Sequence, residues 1–505
     1  MWAQFAFNRK LLLFFKKPFM ILRGKSKKTN LILLISLLAT LLLIIGLFSQ
    51  WGFLAGVEHF KYPYREFLAL ESFLLPSLFA LLLILLFVWG YQKGCQLRHL
   101  LIITAAAYLF QLSISAAGPH GISGIGLVIS DPGITSYYHH AAELEQLTLS
   151  KYPELMETFF MHARTHPPGS ILLVKGVLDF FEYFPSITSF AVKILLLTGI
   201  SPIIFELNPH SHIVTAYFIG FLLPLVGCLS SVPTYLFVRH IDDKCSAYIA
   251  GMLFLIAPAM SLFLPEFDQF LAFFAMLAFT AGWHSFMANK SFYALLSGFA
   301  LFMATFFQLL CLCLIPMLFL SWFLLKWRKQ SDIDFRGILK ISISFVLGLL
   351  LPYVALKIEY GFSIIKVYQK VLHLSQIILE KAPPPGLDIL HFAIFLGMAT
   401  FVLLLSVLFS KENFSPGKMK SKNILVIAFF SLIIALSLSG KVRAETGRLW
   451  IFLMPLASSM AGIELKKLSK NKLIFILIFI VLTLLTLFVL RGKLVVLNSP
   501  IYGSL

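Results

Sequence analysis

Charge is scarce in this chain, and acid is scarcer than base: Asp, Glu, Lys and Arg make up 13% of it, with 23 acidic residues against 41 basic. Soluble domains are charged at roughly a quarter of their positions, so a water-exposed globule is excluded. Cysteine is also sparse. Cys95, Cys228, Cys245, Cys311 and Cys313 all fall in apolar runs or basic connectors. None is placed where an oxidising compartment would pair it, which excludes a disulfide framework. Cys311-Leu-Cys313 has no further ligand near it in sequence and reads as packing thiols. The sequence shows no internal repeat, low-complexity tract or soluble tail. Its basic lead, with Arg9, Lys10, Lys16, Lys17, Arg23, Lys25, Lys27 and Lys28, is too long for a cleaved secretory signal.

What is present is apolar: 59% of residues, with 15% aromatic. Leu31 to Trp51, Phe67 to Gly90, Val214 to Val238, Ile389 to Phe409 and Leu473 to Leu490 each approach the roughly 20 apolar residues that cross a bilayer. The predicted fold is an all-α polytopic transmembrane protein of about 11–13 spans, forming one membrane domain over residues 1–505. Between Gly169 and Ser201, two short apolar pieces joined at Pro185 read either as a hairpin of spans or as interfacial helices.

The formal charge of +18 does not point to nucleic acid, because the basic residues recur at alternate ends of the apolar runs. Lys93 with Arg98, Arg239 with Lys244, Lys326 with Arg328 and Lys329, and Lys466 with Lys467 mark cytoplasmic loops, and residues 1–30 form a cytoplasmic lead. The expected location is an inner (plasma) membrane. Outward loops then hold the chemistry: 118–168, 357–388 and 440–448, with Pro265-Glu-Phe-Asp268 at the mouth of another span.

In the first of these loops, Asp131 precedes Pro132-Gly133 and a helical Tyr-Tyr-His-His pattern. It serves either as a helix cap or as a partly desolvated carboxylate able to take a proton. His166-Pro-Pro168 leads into an apolar run, where the prolines suit a helix start and the imidazole suits either an interface or a phosphate. Arg443, Glu445 and Arg448 crowd one span mouth, and a planar guanidinium fork matches phosphate oxygens. Tyr368 and His373, with Lys366 and Lys370, line an acceptor cleft or belong to an amphipathic helix broken by Pro383-Pro-Pro-Gly386.

This order of motifs resembles the GT-C superfamily of polytopic membrane glycosyltransferases, including protein O-mannosyltransferases and the aminoarabinose transferases of lipid A. The resemblance is carried by Asp131, Tyr138, Ala141, His166-Pro-Pro168, Pro265-Glu-Phe-Asp268 and the stretch Glu445 to Pro455. It implies a GT-C-like fold with a large outward first loop, and transfer of a sugar from a polyprenyl phosphate to an acceptor hydroxyl on a glycan, lipid or protein. By the same resemblance Asp131 is the catalytic carboxylate. His166, Arg443 and Arg448 hold the donor phosphate, and Tyr138, Glu445, Asp268 and His373 support them. The first loop has one acidic residue where some members carry a pair, and Gly169 stands where many relatives carry Leu. No cofactor is certain and a divalent metal stays open, since no recognisable ligand spacing occurs.

Two other classes compete. A transporter or flippase places ionisable groups deep in the membrane, for which Lys175, Asp179, Glu182 and Lys193 are the candidates, and a polymerase of lipid-linked glycans shares the donor. On the transferase reading, Asp131→Asn abolishes sugar transfer with folding and lipid binding nearly intact. Wild-type turnover from purified mutant protein, measured by radiolabel transfer from polyprenyl-phosphate sugars, refutes that assignment.

Overall fold

The computed structural model describes residues 27–57, 60–144, 148–328, 330, 333–379, 386–409, 421–440, 445–470, 472–499 and 503–504. Most of the basic lead, Arg443 and the Pro383 to Pro385 breaker lie outside the described residues.

Long apolar runs leave the backbone no water to bond, so each must satisfy its own N–H and C=O groups as helix. Among the described residues nine helices are long and apolar enough to cross a membrane, from Lys27–Phe48 to Leu473–Lys493, and two bent helix pairs raise the total to as many as eleven. The chain is thus an integral multi-pass membrane protein. β-structure among the described residues is confined to two antiparallel pairs of two-residue strands, Gly56–Val57 with Phe60–Lys61 and Asn498–Ser499 with Gly503–Ser504, and one isolated bridge between Tyr64 and Leu494. Leucines such as Leu31, Leu34, Leu38, Leu41 and Leu42 on the first helix are exposed, as expected of side chains that meet lipid.

The predicted continuous span Ile389 to Phe409 is broken. Leu387–Leu396 and Met398–Leu408 meet at 116°. The cause is Gly397, whose φ of +98° suits only glycine and where a Cβ would lie 2.8 Å from the Thr483 methyl group. The Gly169–Ser201 region also bends, by 104° between Gly169–Tyr183 and Pro185–Leu197. Its charged side chains pair near the surface: Lys175 meets Asp179 at 2.9 Å and Glu182 faces His212 at 3.8 Å.

Met454–Ser469 runs through the middle of the bundle with every residue but Lys466 and Lys467 buried. It packs against Lys244–Leu255, where Gly462 sits so close that a Cβ would reach 2.7 Å from the Ala250 backbone. At one end of the bundle Lys466 pairs with Asp243 at 3.3 Å and Lys28 with Glu464 at 3.2 Å. At the other end Arg65 donates to the Arg491 carbonyl at 2.7 Å and Tyr138 to the His212 carbonyl at 3.0 Å. This second end gathers the interrupted, polar segments.

Helices Ser291–Phe307 and Phe335–Tyr360 approach almost backbone to backbone. A Cβ on Gly298 would come within 2.0 Å of the Phe345 carbonyl oxygen, and one on Gly348 within 2.1 Å of that of Leu295. Small residues allow such contact in lipid, where association depends on close packing. Gly298→Ala should therefore cost roughly 1–3 kcal/mol, whereas Gly176→Ala, with nothing within 4 Å of the added carbon, should be neutral or stabilising. Thermal unfolding of both variants in detergent separates the two, and equal melting temperatures would count against the close approach.

Candidate functional site

Four segments from distant parts of the sequence meet at the polar end of the bundle. The 3-10 turn Met161–Thr165 brings His162, and His166 follows it before the Gly169–Tyr183 helix. Tyr137 comes from the short helix Tyr137–Glu143, Glu266 and Asp268 from the start of Phe267–Ala288, and Arg448 from Thr446–Leu449. Tyr137, His162, His166, Ser170, Glu266, Asp268, Gln308 and Arg448 together line one narrow cavity with Phe267, Leu271 and Phe307.

Local chemistry explains how these segments are held. Ser136 turns the chain with φ of +58°; its hydroxyl donates to the Phe160 carbonyl at 3.0 Å and accepts from the Ala163 N–H at 3.1 Å. His140 Nε2 accepts the Phe160 N–H at 3.2 Å. The Tyr152 hydroxyl donates to the His166 carbonyl at 3.0 Å. Gly169 has no room for a side chain, since a Cβ would lie 2.6 Å from the Phe306 carbonyl oxygen; glycine, not Leu, is what this approach permits. Gly447 packs under Phe395 in the same way, where a Cβ would lie 2.2 Å from the ring.

Arg448 is the centre of the cluster and is only 5% exposed. Its Nη2 donates to His162 Nε2 at 2.9 Å and to Glu445 Oε2 at 2.9 Å. Nη1 lies 3.6 Å from Glu266 Oε1, and Nε lies 3.4 Å from Asp268 Oδ2. A guanidinium can only donate, so His162 accepts at Nε2 and is a neutral imidazole. Burial, reinforced by the positive charge of Arg448, holds the His162 pKa well below its ordinary value. Burial likewise lowers His166 to about 4, against a backbone contact with the His162 carbonyl that opposes the shift. For Arg448 itself burial works against the charge, but Glu445, Asp268 and Glu266 more than reverse this and keep the guanidinium protonated.

Three carboxylates around one guanidinium leave an excess of negative charge in a dry site. Glu266 relieves it by holding a proton: burial is the main cause, with Asp268 and Glu445 adding to it and Arg448 opposing, and its pKa rises to about 8. Glu266 Oε1 and Arg448 Nε make only the long ion-pair contacts given above, without a hydrogen bond, and Gln308 Oε1 is buried with no hydrogen-bond partner. Buried polar atoms are normally satisfied, so this incomplete bonding points to a polar occupant.

The structure places the sequence candidates unevenly. His166, Asp268, Glu445 and Arg448 come together at the cluster. Asp131 does not line this cavity. It ends the Gly124–Ser130 helix, fully buried, with Oδ1 accepting the Gly133 N–H at 2.7 Å. The cap position of the following helix belongs to Ser136 instead. Tyr138 points away, to the His212 carbonyl, and its neighbour Tyr137 lines the cavity. His373 is exposed in a separate groove with Glu154, Glu157, Lys366 and Lys370, on a helix, Ile364–Leu379, that buries Val367, Val371 and Leu374 and pairs Lys370 with Glu157. Tyr137, His162, Glu266 and Gln308 join the site without having been assigned a role from the sequence pattern, although His162 and Glu266 lie in its polar runs. The signal for Glu266 was the Glu-Phe-Asp pattern at a helix start, which sends both carboxylates to one mouth.

Among the described residues no group of three or more His, Cys, Asp or Glu side chains is placed to hold a metal ion. The carboxylates converge on Arg448, which fills the position a cation would take, so these residues do not fit a divalent ion in this arrangement.

No protein-family model and no curated protein sequence matches the chain. It is similar in structure to archaeal oligosaccharyltransferase. One such structure is the Archaeoglobus fulgidus oligosaccharyltransferase in complex with Zn and sulfate, at 13% identity and a TM-score of 0.39, covering 77% of this chain and 53% of that one. Another is oligosaccharyltransferase AglB from the same organism in complex with an inhibitory peptide and a dolichol-phosphate, at 13% identity and a TM-score of 0.37, covering 77% and 56%. The chain spans just over half the length of these structures, and a likeness of this degree carries no argument about its activity.

The proton on Glu266 has a measurable consequence. Its folded pKa lies above the unfolded carboxylate value, so its contribution to stability is complete below about pH 4.5 and is lost as pH rises through about 8. Glu266→Gln should flatten the fall in melting temperature over that window. A wild-type slope that persists in the variant would show that another group sets it.

Proposed function

We propose that the chain is a membrane glycosyltransferase that moves a sugar from a polyprenyl-phosphate donor to an acceptor hydroxyl at the polar, extracytoplasmic end of the bundle. The observation that carries this reading is the narrow cavity in which Arg448 meets three carboxylates and a neutral histidine, with Glu266 and Asp268 held only by long ion-pair contacts and Gln308 Oε1 without a hydrogen bond. In the transfer, the acceptor oxygen bonds to the anomeric carbon as the bond from that carbon to the phosphate oxygen breaks. The acceptor proton passes to a carboxylate, and the electron pair leaves with the polyprenyl phosphate.

Each step matches a residue type at the site. Arg448 has a fixed positive charge for the departing phosphate oxygens, and its contacts with Glu266 and Asp268 are long enough to yield to them, in a low-dielectric setting where such a charge counts most. His166 and Tyr137 flank that position. Asp268 stands within the cavity and burial raises the Glu266 pKa to about 8, so Asp268 is the carboxylate placed to accept the acceptor proton, with Asp131 bracing the turn that leads to Tyr137. The aromatic and aliphatic faces of the membrane helices suit the polyprenyl chain. No step is assigned to a metal.

The two bent helix pairs favour a second reading, a transporter or lipid-linked glycan flippase, because broken spans line transport pathways. Against it, Lys175, Asp179 and Glu182 pair at the surface instead of lining a path through the bundle.

Arg448→Ala should lower transfer by about 10²–10³-fold and raise the apparent KM for the donor more than that for the acceptor. Asp268→Asn should abolish turnover with donor binding retained. Transfer of radiolabel from a panel of polyprenyl-phosphate sugars in proteoliposomes tests both, and the donor that supports transfer names the sugar. Full turnover in Asp268→Asn together with loss in Asp131→Asn would return the base role to Asp131. Movement of labelled lipid across the bilayer without any transfer would replace the enzyme with the flippase.

A further inference from the structure

A second polar recess lies beside the candidate site and plays no part in the chemistry above. It is narrow and is bounded by the end of the Leu473–Lys493 helix, the glycine-rich turn after Leu97–Ala116, and the segment that leads into Pro265 and Glu266. Its polar lining comes from Arg491, Ser261 and His120, and Gly118, Gly121 and Gly124 form one wall.

The charges here are unbalanced. Arg491 is 6% exposed, Lys493 is 7% exposed, and Arg65 donates to the Arg491 carbonyl at 2.7 Å. Lys493 rests over the Phe48 ring at 5.1 Å. Among the described residues none of these three cations has a carboxylate partner. A buried charge without a counter-ion is costly, yet this end of the helix buries two of them beside the half-buried Arg65.

Hydrogen bonding is incomplete in the same recess. Arg491 Nη2 donates to the Ser115 carbonyl at 3.1 Å, but its Nε is buried with no partner. Ser261, only 3% exposed, leaves its hydroxyl buried and unbonded. The guanidinium lies against Gly118, where a Cβ would stand 2.4 Å from Arg491 Nη2. The glycine makes room for the arginine, and two donors with nothing to donate to face a common space.

We infer that this recess binds a phosphate group, held by Arg491 and Ser261, at a site distinct from the Arg448 cavity. A planar guanidinium with a free edge and a neighbouring hydroxyl donate in the way tetrahedral oxyanions accept, and a bound anion supplies the missing negative charge beside Arg65 and Lys493. The phosphate belongs either to an anionic lipid headgroup entering at the end of the last span or to a small soluble anion. Its binding is independent of the proposed transfer activity. The Ser261 to Leu264 segment of the recess leads directly into Glu266, so its occupancy would also brace the start of the helix that carries Glu266 and Asp268.

The test uses the purified full-length chain in detergent. Melting temperature is followed during titration with phosphatidylglycerol in mixed micelles, with phosphatidylcholine as the zwitterionic comparison, and separately with inorganic phosphate against chloride at matched ionic strength. The wild type should be stabilised, and Arg491→Gln, Ser261→Ala and Gly118→Val should each weaken the response by roughly tenfold, while Lys370→Gln on the surface leaves it unchanged. Stabilisation by phosphatidylglycerol alone identifies a headgroup, and stabilisation by inorganic phosphate identifies a small anion. Equal responses in the wild type and in the recess variants overturn the site. Ser261→Ala removes only a hydroxyl, so it answers the question even if Arg491→Gln fails to fold.

Discussion

A buried guanidinium held by three carboxylates and an imidazole is the interaction on which the polar end of this bundle depends. Arg448 sits on a four-residue helix that has too few internal bonds to position itself. It is fixed instead by what it touches: Glu445 three residues back, Glu266 and Asp268 from the mouth of another helix, and His162 from a loop 286 positions earlier. Removing the arginine would leave uncompensated negative charge in a site without water, which is why breaking one partner of such a network costs more than forming it gains. The network therefore ties loop, helix start and late insertion into one unit.

Glycine is the second constraint, acting through the space it leaves. Gly397 breaks a helix, Gly169 lets the entry of one helix lie on the Phe306 carbonyl, and Gly298 with Gly348 lets two helices touch along their backbones. In lipid there is little hydrophobic gain from bringing helices together, so contact distance decides how well they hold. The same economy of space recurs at Gly118, where the missing side chain admits the Arg491 guanidinium.

The bundle and the site differ in how far they could be read in advance. Apolar runs and basic loops carried the architecture, because crossing lipid imposes a length and a charge asymmetry that survive in one dimension. Of the site, His166, Asp268, Glu445 and Arg448 were legible because they stand at span mouths beside the prolines, glycines and tryptophan that mark where a helix begins. Tyr137 and Tyr138 were not separable: a helix turns about 100° per residue, so neighbours face different surroundings, and only packing against His212 and Phe267 shows which one reaches the cavity. His162 stood in the polar run that ends in His166-Pro-Pro168 but nothing there gave it a role, and Gln308 gave no signal, since neither lies in a pattern whose chemistry depends on spacing.

By itself the sequence determined that this is a membrane chain built of helices, with polar clusters in the segments between its apolar runs. Those properties come from transfer free energies of individual residues and runs, which add along the chain. The tertiary structure alone decided that Arg448 meets Glu266 and Asp268, that Asp131 turns to its own backbone, and that Ile389 to Phe409 bends in two. Each of these depends on distances between segments far apart in sequence, and in a close-packed bundle those distances are set by the shapes of all the neighbours at once.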